Sequence, residues 1–593
     1  MASCSHKQHS YALMLITLLV WSYCSLGSAQ QHSGDAAAHQ QTGYRFLVSR
    51  QFDQAIVEFH EALRLDPDAP EAHNYLGLAW VGKGDLNGAC EEFKAAVRLS
   101  PRYADARSNW GLALLKTGHL EAAVDELRSA VELDPSSSQT QFRLGMAFSA
   151  AGQQKVAIAA FRKSLELTPE FPEAWNNLGV ALARSGDRNE SVAAFQQALL
   201  IRPDYAEAHY NLGRGLLNKG DSEEGKEEIR RALQLRPSYV EAHTELGCAL
   251  LSEKDTDAAI MEFRAALRLD PHAADARFNL GLGLLSTGDR PNAISEFQKT
   301  IELRPDMPEA YNNLGVALVE QGQLDNAIPQ FQRALQLNPG YVEAHYNLGL
   351  DYMMKSDFDR AVIAFATASR LAPDEAKYHY RLGFTLAKAG DLDQGIAEIQ
   401  RSIDLNPDSP DAHYVLAHLL MKKGDQKAAT QQFQIQARLE EATRAKKLNN
   451  SQAVLHIGLG LEAMNAGNLK QAIREYQQAV LYQPDSIEAH NHLGVALAKM
   501  GDQDAALKEF QKATELEPND PTAYNDLGDL LAGKGGLEAA ISNFEEAIKL
   551  KSDFAEAHYN LGWVLLRKGL RERSMVEFQK AHELDPRLKV PEQ

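Results

Sequence analysis

Seven asparagines recur at the same point of a 34-residue period in this chain of 593 residues. They are Asn109, Asn177, Asn211, Asn279, Asn313, Asn347 and Asn560. An amide side chain can donate to a peptide carbonyl and accept from a peptide N–H, so a row of amides can hold an extended peptide regardless of its sequence. Each bond contributes about 0.5–1.5 kcal/mol, so binding needs several together. The alternative interpretation is that these amides only bridge neighbouring helices.

Three tyrosines stand one place before this row and would add contact area: Tyr210, Tyr346 and Tyr380. The row itself is interrupted by Arg143 and Glu245. Between Asn347 and Asn560 it passes through five other residues, so we expect the last third of the chain to hold a different ligand or none.

Ten of the nineteen histidines also share one place of the period. They are His39, His73, His209, His243, His345, His379, His413, His456, His490 and His558. Zinc needs ligands that converge at about 2 Å, whereas these residues lie a whole repeat apart. Trp175 and Tyr311 occupy the same place, which favours packing between helices. We expect no metal site and no cofactor.

Motifs of known catalytic chemistry are missing from the sequence. It contains no glycine-rich phosphate loop, no H-E-x-x-H and no G-x-S-x-G. Solenoid repeats rarely bring several polar groups into one closed pocket. We therefore expect no catalytic residues and no enzyme activity.

The elements that position these residues follow from the period itself. Counted from Ala36, twelve units of 34 places run without a gap to Thr443, and four more run from Ala453 to Leu588. Each unit carries two apolar blocks at helical spacing, separated by a glycine-containing break. The pattern predicts a helical hairpin in each unit. One hairpin cannot bury both faces, so the hairpins must stack.

Small residues and turn formers recur at fixed places of the hairpin. Place 8 is glycine in fifteen of sixteen units, with only Ala417 departing, and we expect two helices to approach closely at Gly179. Glycine at place 15, as in Gly186, fits a left-handed residue after the first helix. Asp204 followed by Glu207 suggests a reciprocal cap on the next helix.

These places resemble the tetratricopeptide repeat, which has Leu-Gly at places 7 and 8 and proline near its end. In segments such as 172–187, PEAWNNLGVALARSGD, the units look like the arm of the O-linked N-acetylglucosamine transferases. The resemblance implies an all-α, right-handed superhelical solenoid of about sixteen hairpins that holds extended peptides on its concave face. We expect no catalytic domain of the transferase kind.

One irregularity separates two blocks of repeats. The period slips by nine residues after Ala437, and residues 438–452 keep a helix-forming composition. We expect the second helix of repeat 12 to run long and to end near Asn449 and Asn450.

The predicted organisation is a block at 30–443 with repeats from residue 36, a helical insert or hinge at 444–452, a block at 453–588 and a tail at 589–593. The insert is either an irregular repeat or a contact for self-association.

The N-terminal segment predicts export. Tyr11 to Tyr23 is apolar and Gly27 to Ala29 supplies small residues, which is typical of a cleaved signal peptide at 1–29. The protein would then be periplasmic or secreted, the alternative being an anchor formed by an uncleaved segment. No second hydrophobic segment follows, so we expect no membrane span in the mature chain.

The charge balance bears on the partner. With 80 acidic and 61 basic residues the formal charge is -19, which disfavours nucleic acid. The sequence therefore predicts a non-catalytic scaffold that binds extended or disordered segments of partner proteins in its groove. Two alternatives are a self-assembling organiser of an envelope complex and a substrate-recruiting arm for a separate enzyme such as a glycosyltransferase.

Overall fold

The computed structural model describes residues 34–591. This part of the chain consists of 31 helices and turns, without a strand. The predicted signal peptide at 1–29 lies outside the described residues. Within the described range, no helix combines the length and apolar character needed to cross a membrane. The observed fold class is the predicted one, an all-α solenoid of helical hairpins.

The chain divides into two compact units, the first ending at Asp351 and the second beginning at Tyr352. The helices up to the division are α1 Gly34–Val48, α2 Phe52–Leu65, α3 Pro70–Lys83, α4 Leu86–Leu99, α5 Ala104–Lys116, α6 Leu120–Leu133, α7 Ser138–Ala150, α8 Gln154–Leu167, α9 Pro172–Ser185, α10 Arg188–Ile201, α11 Ala206–Lys219, α12 Ser222–Leu235, α13 Val240–Ser252, α14 Thr256–Leu269, α15 Ala274–Ser286, α16 Arg290–Leu303, α17 Pro308–Glu320, α18 Leu324–Leu337 and α19 Val342–Met354. The others are α20 Phe358–Leu371, α21 Ala376–Ala389, α22 Leu392–Leu405, α23 Pro410–Lys423, α24 Gln426–Asn465, α25 Leu469–Tyr482, α26 Ile487–Met500, α27 Gln503–Leu516, α28 Pro521–Gly533, α29 Leu537–Leu550, α30 Ala555–Arg567 and α31 Arg571–Leu584.

Close packing at place 8 holds each hairpin together. A Cβ added to Gly179 would lie 2.6 Å from Cε1 of Phe195, a place-24 ring that is almost fully buried. The same relation recurs at Gly315 and Phe331. Place 8 is therefore glycine because the place-24 ring of the second helix occupies the space that a side chain would need. The predicted close approach is confirmed.

The turn after the first helix has the conformation predicted from the sequence, whereas the predicted cap at the start of the first helix is not formed. Gly186 has a φ of 95°, which is the left-handed conformation expected at place 15. The predicted cap between Asp204 and Glu207 is wrong, because Tyr205 is the N-cap of α11 and no side chain caps it. Side-chain caps occur on other helices, as where Asp85 accepts from the N–H of Gly88 at 2.9 Å at the start of α4.

Helix α24 replaces two helices of the regular pattern. It is a single helix of 40 residues that contains the second helix of repeat 12 and the first helix of repeat 13. Its N-terminal half packs against α23 and its C-terminal half against α25. The expected end near Asn449 and Asn450 is wrong, because residues 438–452 contain no glycine or proline that would stop the helix.

Candidate peptide-binding surface

The asparagine row lies on the first helices of the repeats. Within each compact unit the first helices of successive repeats contact one another, as α9 contacts α11 in the first unit and α28 contacts α30 in the second. We call this layer the first-helix surface. Because place 6 comes once in each repeat, its side chains lie on adjacent helices of this surface.

Four of the seven asparagines are paired with a second asparagine. In each pair Nδ2 at place 6 donates to Oδ1 of an asparagine at place 5 of the preceding repeat. The pairs are Asn109 with Asn74 at 3.0 Å, Asn211 with Asn176 at 2.9 Å, Asn347 with Asn312 at 3.0 Å and Asn560 with Asn525 at 3.1 Å. The accepting asparagine is buried in all four. These pairs link adjacent first helices, which is the bridging role weighed above.

The other three asparagines bond to their own helix. Asn177 donates to the carbonyl of Glu173 at 2.8 Å, and Asn279 and Asn313 make the equivalent bond at 2.9 Å. Their preceding repeats carry phenylalanine or threonine at place 5, so no asparagine is there to accept. All three are half-exposed. Within residues 34–591 their Oδ1 atoms accept no hydrogen bond, so these carbonyl oxygens are available to a ligand.

Arg143 interrupts the row as part of a buried polar network. Its Nη1 donates to Ser108 Oγ at 2.8 Å and to Asn109 Oδ1 at 3.0 Å. Burial lowers the pKa of Arg143 to about 10, so the side chain stays charged at neutral pH. Asn109 is thereby enclosed on both sides and is 5% exposed. Of the seven candidate asparagines, Asn109 is the only buried one.

The three tyrosines of place 5 are half-buried on first helices, Tyr210 and Tyr346 in the first unit and Tyr380 in the second. The ring of Tyr210 lies 4.9 Å from that of Tyr239 and 5.5 Å from the guanidinium of Arg214. Tyr380 has a similar contact with Arg381 at 5.7 Å. Burial raises the pKa of Tyr210 to about 12, so its phenol is a neutral donor. Tyr346 lies on α19 beside Asn347.

The surface changes near the C-terminus, where Asp526 occupies place 6. Burial, together with the nearby acidic groups of Glu556, Asp529 and Asp520, raises the pKa of this carboxyl to about 6. At place 5 of the preceding repeat, the Oδ1 of Asn491 is buried without a hydrogen-bond partner among the described residues. A carboxylate cannot donate to it as the amides of the four pairs do.

Histidine at place 4 forms a polar bridge that the sequence interpretation missed. Nδ1 of His490 lies 2.6 Å from Glu509 on the second helix, and Nε2 lies 3.1 Å from the carbonyl of Pro484. Arg107 makes the same two contacts with Glu126 and Pro101. The signal in the sequence is a glutamate at place 23 in most repeats that carry histidine or arginine at place 4. The exceptions are Gln432, which pairs with His413, and Ala364 in the repeat of His345.

Residues 34–591 contain no cluster of three or more histidine, cysteine or acidic side chains that could bind a metal ion. Cys90 and Cys248 are free thiols. Burial raises the pKa of both, to about 11 for Cys248, which disfavours the reactive thiolate.

Comparison with known families agrees with the geometry. A model described as "Tetratricopeptide repeat" matches residues 41–104, 81–138, 210–274, 244–308, 278–342, 380–439 and 457–521, more than half of the chain. Further models of this repeat match 145–186, 181–220, 318–382, 528–569 and 555–588. The protein therefore belongs to the tetratricopeptide-repeat family, whose stacked hairpins are a protein-interaction architecture. The search of curated proteins found no match.

Solved structures with the same repeat include MamA from Desulfovibrio magneticus RS-1, with 25% identity, 28% of this chain and 96% of that chain covered, and a TM-score of 0.28. YrrB, described as a TPR protein with an unusual peptide-binding site, has 24% identity, 31% and 95% coverage, and a TM-score of 0.28. The APC/C hetero-tetramer Cut9-Hcn1 has 14% identity, 90% and 97% coverage, and a TM-score of 0.35.

Proposed function

We propose that this protein is a non-catalytic scaffold that binds extended segments of partner proteins along its first-helix surface. The observation that carries the proposal is the open amide set, defined as Asn177, Asn279 and Asn313. Each has a half-exposed side chain whose carbonyl oxygen is unused within the described residues. An extended backbone presents N–H groups that such oxygens accept without regard to side-chain identity.

The surroundings of the open amide set support a peptide ligand. The amides are held in place by their bonds to the preceding helical turn, so little rotamer entropy is lost when a ligand binds. Asn279 and Asn313 stand on α15 and α17, first helices that contact each other. Half-buried Tyr210 on α11 offers an aromatic face and a neutral hydroxyl. These groups suit a partner whose main chain is exposed, such as a disordered segment.

The experiment compares peptide binding by two asparagine variants of the full chain. An array of unstructured peptides would identify ligands, and fluorescence anisotropy would measure their affinity. Replacing the open amide set with alanine should weaken binding about tenfold to a thousandfold, because three bonds of about 0.5–1.5 kcal/mol are lost. The matched control is Asn543→Ala, which removes the same local bond, at 2.8 Å to the carbonyl of Ala539, from a second helix.

Two results would contradict the proposal. The first is a wild-type chain that binds none of the peptides. The second is a triple variant with unchanged helicity that binds as tightly as Asn543→Ala. Either result would remove the first-helix surface as the site.

We also propose that the scaffold acts after export. The proposal is based on the apolar run and the small residues of segment 1–29, which are typical of a signal peptide. N-terminal sequencing of the protein from an extracytoplasmic fraction tests this. A mature N-terminus near residue 30 is expected, and an intact segment in a membrane fraction would favour the anchored alternative.

A further inference from the structure

An exposed tryptophan stands on the last of the described first helices. Trp563 on α30 is 41% exposed. Its ring packs in a T-shaped arrangement on Phe578 at 5.3 Å and lies 6.2 Å from the ring of half-buried Tyr559. These contacts fix the orientation of the indole while part of it stays open to solvent. Tryptophan held in this way is the residue type that contributes most at binding surfaces, and its face attracts cations.

Three carboxylates accompany this tryptophan and form no ion pair with a described residue. Asp526 and Asp529 lie on α28, and Glu556 lies on α30, which contacts α28. Asp529 and Trp563 both hold place 9 of their repeats, so the carboxylate and the indole stand at the same level of adjacent helices. Arg567, which ends α30, donates to a backbone carbonyl at 2.9 Å rather than to any of the three carboxylates.

Repulsion among the carboxylates favours a cationic ligand. Asp526 is half-buried, whereas Asp529 and Glu556 are exposed. Burial, together with the acidic groups around it, raises the pKa of Asp526 to about 6. At neutral pH a carboxylate is therefore held where its neighbours repel it. A cation bound among the three groups would offset this repulsion.

An acceptor without a donor points to the same class of ligand. In the four asparagine pairs, the place-5 oxygen accepts from the place-6 amide of the next repeat. Asn491 holds place 5 of repeat 14, and its Oδ1 is buried without a hydrogen-bond partner among the described residues. Place 6 of the next repeat is Asp526, whose carboxylate can only accept. A ligand that donates hydrogen bonds, as a guanidinium group does, suits this place.

We propose that these groups form a second binding surface, which takes a basic segment of a partner protein. We call it the acidic aromatic surface and define it as Asp526, Asp529, Glu556, Tyr559 and Trp563. Arginine is the side chain that fits it best, because a planar guanidinium makes forked hydrogen bonds to carboxylates and also stacks on aromatic rings.

The acidic aromatic surface is separate from the open amide set. All its members lie in the second compact unit, whereas the three amides lie in the first. It recognises side-chain charge, whereas the amides would recognise the peptide backbone. The proposal does not depend on peptide binding in the first unit, and the two can be tested apart.

Fluorescence anisotropy with the full chain tests this surface. The probes are two labelled Gly-Ser peptides with amidated C-termini, one carrying three arginines and the other glutamines at the same positions. The wild-type chain should bind the arginine peptide at least about tenfold more tightly. Asp526→Asn combined with Asp529→Asn should abolish most of this preference, and Trp563→Ala should weaken binding of the arginine peptide about three- to tenfold.

The matched control removes the same charge elsewhere in the second unit. Asp359→Asn combined with Asp408→Asn changes two exposed carboxylates that form no ion pair with a described residue, and it should alter the affinity at most about twofold. Asp526→Asn removes a buried charge and is expected to stabilise the fold, so lost binding in that variant is not a sign of unfolding. Circular dichroism of each variant checks this.

Three results would overturn the proposal. The first is equal binding of the arginine and glutamine peptides by the wild-type chain. The second is a double aspartate variant that binds like its charge-matched control, or a Trp563→Ala variant that binds like the wild type. The third is loss of arginine-peptide binding when the open amide set is replaced with alanine, which would place the basic segment on the first unit.

Discussion

Nδ2 of Asn211 lies 2.9 Å from Oδ1 of Asn176, which precedes it by 35 residues. This bond joins the first helices of two successive repeats and buries the acceptor, since Asn176 is 2% exposed. The paired asparagines therefore contribute to the stacking of repeats, whereas the side chains of the open amide set bond only to their own helices. The two groups should respond differently to the same substitution.

Asn176→Ala should destabilise the junction between repeats 5 and 6 by about 1–3 kcal/mol, because the amide of Asn211 loses its buried partner. Asn313→Ala should cost less than about 0.5 kcal/mol, since it removes only a half-exposed bond to its own helix. Long repeat arrays do not unfold in one step, so hydrogen exchange of α9 and α11 is the appropriate measurement. Equal losses of protection in the two variants would contradict the distinction.

Gly179→Ala should destabilise its hairpin by about 1–3 kcal/mol, because the new Cβ would lie 2.6 Å from the ring of Phe195. The matched control is Gly458→Ala on α24, a helical glycine with nothing within 4 Å of its added Cβ. That change should stabilise the chain by up to about 1 kcal/mol. Urea denaturation of both variants measures the difference, and a stabilised Gly179→Ala would refute the packing argument.

Most of the fold follows from the period alone. Glycine at places 8 and 15 predicted a close helix contact at Gly179 and a left-handed turn at Gly186, and both are present. The length of α24 was predicted only in part. Local composition predicted that the helix continues past 438, and residues 438–452 contain no glycine or proline that would stop it. That it merges with the first helix of repeat 13, which packs against α25, could not be predicted from the period.

The site was harder to predict because its residues act across repeats. A row of place-6 asparagines is visible in the sequence. Whether each one is paired with another asparagine or belongs to the open amide set depends on the residue 35 positions earlier. Asn176 decides the role of Asn211, just as Phe142 decides that of Asn177. Likewise, packing was predicted for the place-4 histidines, whereas most of them bond to a glutamate of the opposite helix, as His490 does to Glu509.

Stability should fall as pH rises through the raised pKa values of three place-4 histidines, His73, His243 and His490. The hydrogen bond to glutamate raises the pKa of His73, His243 and His490 above the usual 6.5. A base whose pKa is raised by folding stabilises the native state fully below its unfolded pKa and loses this contribution above its folded pKa. Neutral imidazole can donate to only one of its two acceptors, the glutamate or the proline carbonyl.

Thermal or urea midpoints measured from pH 6 to pH 8 check this dependence. His490→Arg should reduce it, because Arg107 shows that arginine reaches both acceptors while staying charged. His490→Gln serves as the control that removes the charge at every pH. A midpoint that rises over this interval in the wild-type chain would show that the histidines do not govern it.

Asp526→Asn should stabilise the second unit at neutral pH. The folded chain raises the pKa of Asp526 to about 6 from the usual 3.8, so its ionisation opposes folding as pH rises through that range. An amide at this place removes the buried charge and can donate to the partnerless Oδ1 of Asn491, as Asn560 donates to Asn525. The expected gain in the free energy of unfolding is about 1–3 kcal/mol at pH 7 and near zero below pH 4.

Urea denaturation at both pH values measures this gain, with Asp553→Asn on an exposed turn as the control. A gain that is the same at both pH values would mean that the carboxyl of Asp526 is not the titrating group.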